Sequence, residues 1–309
     1  MKHFEKIVIL CGGQSGEREV SLHSAEPVFE ALKKMYPTRL LRLDENTLPQ
    51  ELNPETDLIF PLIHGDFGED GRLQALLEAK GFTYVGSDAK ASALCMDKIR
   101  SKHLAAESGL SVLPAVELTV GQALDREMLE KTLKTTAFVL KPTDKGSSIG
   151  VHLCENFDAL YAALADVKEG HWMIEPYVRG RELTVGLLHG KALGVGEIRP
   201  KEDFYDYHNK YTEGACEYIF PALLEDTVAE RLRRFSEIFF KAAGCRDFGR
   251  ADFIMDADGE TWFLEMNTIP GMTAQSLLPK SAACVGITFE ALLRRLVEGA
   301  FERSGKVFS

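Results

Sequence analysis

Gly249-Arg-Ala-Asp-Phe-Ile-Met-Asp-Ala-Asp-Gly-Glu-Thr-Trp-Phe-Leu-Glu-Met-Asn267 reads as a β-hairpin, with two alternating runs flanking the turn dipeptide Asp258-Gly259. A turn centred there sets Asp252 opposite Glu265 and Arg250 opposite Asn267. Strand residues alternate faces, so Ala251, Phe253, Met255, Trp262, Leu264 and Met266 share an apolar face, and Arg250, Asp252, Glu265 and Asn267 share the other. A loop of odd length would break this register. Two opposed carboxylates repel unless something cationic lies between them. Either Arg250 neutralises them in a surface ion cluster, or the Asp, Glu and Asn oxygens hold a hard cation such as Mg²⁺ that also grips phosphate. The hairpin alone leaves these readings even. The loop that follows, Thr268-Ile-Pro-Gly-Met-Thr-Ala-Gln-Ser-Leu277, has little packing purpose and tips the balance toward a site.

Upstream, the strand Phe138-Val-Leu-Lys141 runs into Lys141-Pro-Thr-Asp-Lys-Gly-Ser-Ser-Ile-Gly150. Glycines and small hydroxyl residues let backbone N–H groups converge on an anion, and Lys141 adds charge. The Walker A spacing is absent, and in isolation this loop reads as a flexible hairpin tip. At the start of the chain, the apolar run Ile7–Leu10, the turn Cys11–Gly16 and a helical stripe through Ala25, Val28, Phe29, Leu32 and Met35 form a strand–turn–helix unit. Cys11 stands where a dinucleotide fingerprint requires glycine, which argues against NAD. The run 57–63 ends in a second glycine turn at His64-Gly65, and together these suggest an α/β unit with parallel strands and ligand loops at their C-terminal ends. Further along come a helix over 91–108, a helix over 157–167, a charged helix over 225–243 and a final amphipathic helix with Phe289, Leu292, Leu293, Leu296, Val297 and Ala300 on one stripe.

The 309 residues carry 36 Lys+Arg against 47 Asp+Glu, a formal net charge of −11, which opposes nonspecific nucleic-acid binding. Apolar residues at 45% and charged residues at 27% describe an ordinary globular chain, and the length allows about two or three domains. The six cysteines form no CxxC pair, so neither a zinc knuckle nor a disulfide framework is expected. No segment has the apolar length of a signal peptide or membrane span, so a cytoplasmic protein without membrane partners is expected.

Taken in order, the motifs resemble the D-alanine–D-alanine ligases of the ATP-grasp superfamily over nearly the whole chain. They are Gly12–Ser21, His64–Gly71, Gly86-Ser87, Ala91–Lys98, Lys141–Gly150, Phe204–Tyr211, Gly249–Phe253, Leu264–Thr273 and Ser276-Leu277. The resemblance implies an α/β fold, α+β in its ATP-grasp part. An N-terminal parallel-sheet domain (1–97) precedes a central ATP-grasp subdomain (98–184) and a C-terminal one (185–309). It implies that Lys98 and Lys141 contact ATP phosphates and that Lys210 also binds ATP. Glu175, Tyr177, Val178 and Glu182 would hold adenine and ribose, and Asp252, Glu265 and Asn267 would hold two Mg²⁺ ions that Mn²⁺ can replace. Glu17 would bind the first D-alanine's ammonium, with His64 in the substrate pocket. Arg250 and the Gly271 N–H would stabilise an oxyanion, and Ser276 and Leu277 would meet the second substrate's carboxylate.

The implied activity makes D-alanyl-D-alanine for peptidoglycan precursors through a D-alanyl phosphate, in a homodimer whose partners are D-alanine and ATP. The implied lid is residues 204–213, whose Tyr211 closes toward Ser147 and Glu17. His208-Asn209 departs from the Glu-Ala of many relatives, whereas Tyr211 favours the dipeptide over a D-alanyl-D-lactate product. A hydroxy-acid ligase, a regulatory nucleotide-binding protein and a dinucleotide oxidoreductase are the competing readings. The full Asp252–Glu265–Asn267 set argues against the regulatory one.

Overall fold

A computed structural model of the chain describes residues 3–121, 124–200, 216–305 and 307–308. The first unit comprises β1 (His3–Phe4), β2 (Lys6–Gly12), α1 (Arg18–Leu32), β3 (Thr38–Leu43), β4 (Asp57–Pro61), α2 (Arg72–Ala79) and β5 (Thr83–Tyr84). Its sheet runs β3-β2-β4-β5 and every pair is parallel. Helices cover both faces: Ile7, Ile9 and Phe60 pack with Val28 and Leu32 on one side, and Val8, Leu10 and Ile59 with Leu73 and Leu77 on the other. Burial on both faces is why β2 and β4 read as continuous apolar runs. From β2 the chain winds to β3 on one side, then crosses to β4 on the other, so the loops after β2 and β4 flank a switch point where ligands bind in such sheets.

The helix expected over 91–108 is two helices, α3 (Ala89–Met96) and α4 (Lys98–Glu107). Asp97 breaks it. Its backbone is extended, and its side chain caps α4 by accepting from the Arg100 N–H. The break places Lys98 in the first turn of α4. Both helices pack against the hairpin's second strand, so the boundary expected at 97/98 falls between two neighbours on one sheet.

Two antiparallel sheets follow. The central one is built from β6 (Val116–Thr119), α5 (Arg126–Leu133), β7 (Phe138–Pro142), β8 (His152–Cys154), α6 (Phe157–Asp166) and β9 (His171–Pro176), in strand order β6-β9-β7-β8. The other contains β10 (Arg181–Leu188), β11 (Lys191–Pro200), β12 (Cys216–Ile219), α7 (Asp226–Ala242), β13 (Phe248–Met255) and β14 (Thr261–Asn267), in order β12-β11-β10-β13-β14. Each sheet covers one face with helices. Phe138, Leu140 and Ile174 meet Leu129 and Leu160, and Val185, Ala251 and Phe263 meet Leu232 and Phe239. Strand alternation turns the remaining faces toward each other across a cleft of about 530 Å³, with Val139, Lys141 and Leu153 on one wall and Ile198, Ile254 and Leu264 on the other. After α8 (Leu277–Ala283), α9 (Phe289–Ser304) returns to the first unit. Its stripe of Leu292, Leu293, Leu296 and Val297 packs into the α1 side of the parallel sheet, and β15 (Val307–Phe308) pairs with β1.

The β13–β14 hairpin corrects the expected faces. The backbone N–H of Asp256 donates to the Glu260 carbonyl at 3.0 Å, so the loop proper is Ala257, Asp258 and Gly259, with Gly259 left-handed at φ +81°. This odd-length loop pairs Phe253 with Phe263 and Ile254 with Trp262. A β-bulge between Asp252 and Phe253 then restores the expected register, so Asp252 opposes Glu265 and Arg250 opposes Asn267. Phe263 therefore joins Phe253 in the core, where Trp262 and Leu264 were expected. Leu264 faces the cleft instead, and the Trp262 indole N–H donates to Asp256 at 2.9 Å.

Candidate active site

The turn after β2 delivers Glu17 to the head of α1, buried at 4% exposure, where its Oε1 accepts a hydrogen bond from Ser147 Oγ. The turn after β4 passes so close that a Cβ on Gly65 would lie 2.5 Å from Glu17 Oε2, and Gly65 is left-handed at φ +70°. His64 beside it is buried; its Nδ1 lies 3.9 Å from Glu69 Oε1, and its Nε2 has no hydrogen-bond partner among the described residues. Burial, helped by the Arg250 charge, pushes the His64 pKa down to about 4, so the ring is neutral at neutral pH. Glu69 Oε2 accepts from the Gly65 N–H at 2.8 Å, yet burial and the neighbouring Glu17 push its pKa up to about 8. A crowded carboxyl pair beside a neutral imidazole is a pocket suited to a small cation such as an ammonium.

Across from this pocket, the Lys141–Gly150 loop is no plain surface tip. Ser147 is 8% exposed, and Ser147 and Ser148 are both left-handed, at φ 54° and 58°. Lys145 Nζ pairs with Asp66 at 2.6 Å, which ties the loop to the turn after β4. Lys98 donates to the Lys145 carbonyl and lies 3.6 Å from Glu265 Oε2; burial pulls its pKa down although Glu265 opposes this. Lys141 reaches one oxygen of the buried Glu175 carboxylate, and Lys102 reaches the other. Burial alone would raise Glu175, but the two lysines outweigh it and hold the carboxyl below its usual range. Glu175, Tyr177, Val178 and Glu182 line the cleft.

At the cleft's edge Asp252 is gripped on every side. Arg250 Nε and Nη2 donate to it at 2.9 and 2.6 Å, Asn267 Nδ2 at 2.9 Å and Thr184 Oγ1 at 2.7 Å. The Arg250 ion pair is therefore real, but it lies in the cleft wall with Asp252 and Glu265, away from open surface. Among the described residues no three His, Cys, Asp or Glu side chains cluster as metal ligands. The set here is two opposed carboxylates and an amide, whose hard oxygens fit Mg²⁺ better than a soft metal. The loop leading to α8 closes the far side. Ser276 Oγ accepts from the Thr273 N–H at 3.0 Å, a Cβ on Gly271 would lie 3.1 Å from Ser276 Oγ, and the Met272 N–H reaches Ser24 of α1 at 3.5 Å. Ser276 occupies the N-cap position of α8, which half-buried Leu277 begins, and the preceding loop is tied to α1 through Ser24.

The expected Lys210, Tyr211 and the lid 204–213 lie outside the described residues. Two further residues emerge that the sequence reading did not single out. Glu69 sits within the His64–Gly71 motif, and Lys102 lies one helical turn beyond Lys98 on α4, a spacing that would have flagged it.

A family model described as "D-ala D-ala ligase C-terminus" matches residues 104–298, and one described as "D-ala D-ala ligase N-terminus" matches residues 37–87. A D-alanine--D-alanine ligase of Citrifermentans bemidjiense is 42% identical over 300 residues, covering 96% of each chain. One from Anaeromyxobacter sp. is 38% identical over 300 residues, covering 96% of this chain and 97% of its own. Among solved structures, the D-alanine--D-alanine ligase from Bacillus anthracis complexed with ATP superposes with a TM-score of 0.86 at 32% identity, covering 98% of this chain and 99% of that one. VanG D-Ala:D-Ser ligase from Enterococcus faecalis gives a TM-score of 0.82 at 29% identity, covering 96% and 100%.

Proposed function

This chain belongs to the D-alanine–D-alanine ligase family, and from that premise we infer which of its residues bind ATP and D-alanine and carry the ligation. It is an ATP-dependent ligase joining two D-alanines. The observation that carries the residue assignment is the Ser147–Glu17 contact: it links the phosphate-type loop to the ammonium pocket across 130 residues. ATP fits the cleft between the two antiparallel sheets, its base by Glu175, Tyr177, Val178 and Glu182, its phosphates toward Lys98, Lys141 and the loop. The first D-alanine fits by Glu17, with Glu69 and His64 behind it.

In the first step, the D-alanine carboxylate attacks the γ-phosphorus, an O–P bond forms, and the bond to the ADP oxygen breaks. In the second, the amine of another D-alanine attacks the acyl carbon, a C–N bond forms, its proton is lost, and phosphate departs. The side chains' task is positioning and charge neutralisation. Arg250 and the Gly271 N–H face the developing oxyanion, Ser276 and Leu277 receive the second carboxylate, and Lys98 and Lys141 spread phosphoryl charge. Two Mg²⁺ ions, with Mn²⁺ as a substitute, would be held by Asp252, Glu265 and Asn267 and would supply neutralisation of phosphoryl charge. Lys210 and Tyr211 belong to this scheme through the family motif alone.

Among the described residues no helix is long and apolar enough to cross a membrane. We assign the enzyme to the cytoplasm as a homodimer, and divide it into working units 1–97, 98–184 and 185–309. Phosphate release from Mg·ATP tests the reading with D-alanine alone, L-alanine, or D-alanine plus D-serine or D-lactate. Release with D-alanine alone and a dipeptide product is expected. No release above background, or release requiring D-serine or D-lactate, would overturn the dipeptide assignment.

A further inference from the structure

Among the described residues, Lys102 is a buried lysine beside the nucleotide region that does not line the cleft, whereas Lys98, Lys141 and Glu175 do. It sits one turn after Lys98 on α4, and its Nζ takes one oxygen of Glu175 while Lys141 takes the other. Side-chain exposures of 6% for Lys102 and 2% for Glu175 place the contact away from water. Burying such a charge is expensive, and replacing buried ion pairs with apolar residues of similar size often leaves stability unchanged or raises it. A buried ion pair is thus weak evidence of a purely stabilising role. Charge counting supplies another role. With Glu175 alone, Lys141 would be half of a neutral pair, its positive charge cancelled a few ångströms from the phosphates it is meant to meet. With Lys102 added, the three groups carry a net positive charge, and Lys141 is its only cation on the cleft wall.

We propose that Lys102 is a positioning residue for the nucleotide's phosphates: by taking half of the Glu175 carboxylate from behind, it leaves Lys141 with uncancelled charge toward the cleft. This rests on the reading of the cleft as an ATP site. Lys102 touches no substrate in this scheme and acts through Glu175 and Lys141. Its effect should follow phosphate charge more than the purine, which Glu175 also meets, and should spare the amino acid.

The test is steady-state kinetics on the full-length K102M, K102Q and K102R enzymes, with thermal unfolding to verify folding. K102M should raise KM for Mg·ATP roughly tenfold, the scale of one unit charge acting at short range in a partly desolvated site. KM for D-alanine should stay within about twofold of wild type. Inhibition by ADP should weaken in parallel with ATP, whereas inhibition by adenosine, which meets Glu175 but carries no phosphate, should weaken much less. K102Q keeps a donor without charge and should behave like K102M, serving in its place should the methionine variant not fold; K102R should restore the ATP KM. Equal weakening of adenosine and ADP, a parallel rise in the D-alanine KM, or full rescue by glutamine would overturn the proposal. K141M, measured alongside, separates the two levels of inference. An unchanged ATP KM there refutes the nucleotide reading, whereas a K141M defect with a normal K102M refutes only the role given to Lys102.

Discussion

Replacing Glu69 with glutamine should stabilise the ligand-free protein increasingly as pH rises. Its carboxyl is 12% exposed, and burial plus the neighbouring Glu17 move its pKa from 4.5 to about 8. The sign follows from proton binding. Between those two values the folded state keeps the proton and the unfolded state has lost it, so stability falls as pH rises. The penalty is absent below pH 4.5 and complete above about pH 8. At roughly 1.36 kcal/mol per unit, the full shift has a ceiling of about 5 kcal/mol, with about 3 kcal/mol already expressed at pH 7. Glutamine keeps an oxygen for the Gly65 N–H and never ionises, so it escapes the penalty. Scanning calorimetry of both proteins from pH 5 to 9 should show nearly equal Tm values at the acid end. The gap should widen to roughly 5–10 °C in the variant's favour at the alkaline end. Saturating D-alanine, whose ammonium would pair with the ionised carboxyl, should narrow it. A gap independent of pH, or one favouring wild type as pH rises, would refute the reasoning.

Gly65→Ala places a methyl group 2.5 Å from Glu17 Oε2 on a backbone at φ +70°. It should raise the KM for the first D-alanine by roughly tenfold or more while the ATP KM stays near wild type, and equal losses for both substrates would count against the Glu17 assignment. Glu265→Gln should lower turnover on the order of 100-fold and raise the Mg²⁺ concentration needed for half-activation, with an unchanged Tm. Near-normal activity in that variant would remove Glu265 from the metal-holding set.

What could be read in advance followed local rules, and what could not depended on distant partners. Strand alternation and turn chemistry were enough to oppose Asp252 and Glu265, yet they missed that two irregularities cancel: a three-residue turn shifts the register and a bulge shifts it back. The side-chain pattern could not distinguish this because Trp262, Phe263 and Leu264 are consecutive and all apolar, so a one-residue slip leaves an apolar residue on either face. The break at Asp97 had a readable signal, a helix-capping residue before Lys98, but helix-compatible residues on both sides, with no Gly or Pro between them, masked it. Glu69 had no local signature of function, and for Lys102 the one-turn spacing from Lys98 marked a shared helix face without naming its partner. Glu69 matters because Glu17 approaches it from another loop, and Lys102 because Glu175 lies 73 residues away.

A net charge of −11 opposes binding of a triphosphate at an open surface, and the structure resolves this by depth. The lysines nearest the proposed phosphate positions are largely withdrawn from solvent: Lys98 is 8% exposed and the Lys141 side chain 12%. There, screening by salt is weak and each charge counts for more than at the surface. The acidic groups divide by the same criterion. Glu17, Glu69, Asp252 and Glu265 surround positions where an ammonium or a hard cation would sit, whereas Asp44 and Glu130, with half or more of their side chains exposed or nearly so, meet only surface arginines. Raising the salt concentration should therefore weaken the Arg18–Asp44 type of pair while leaving the lysine–Glu175 assembly nearly intact. Function here depends on where the charges are buried, and the overall balance of the chain says little about it.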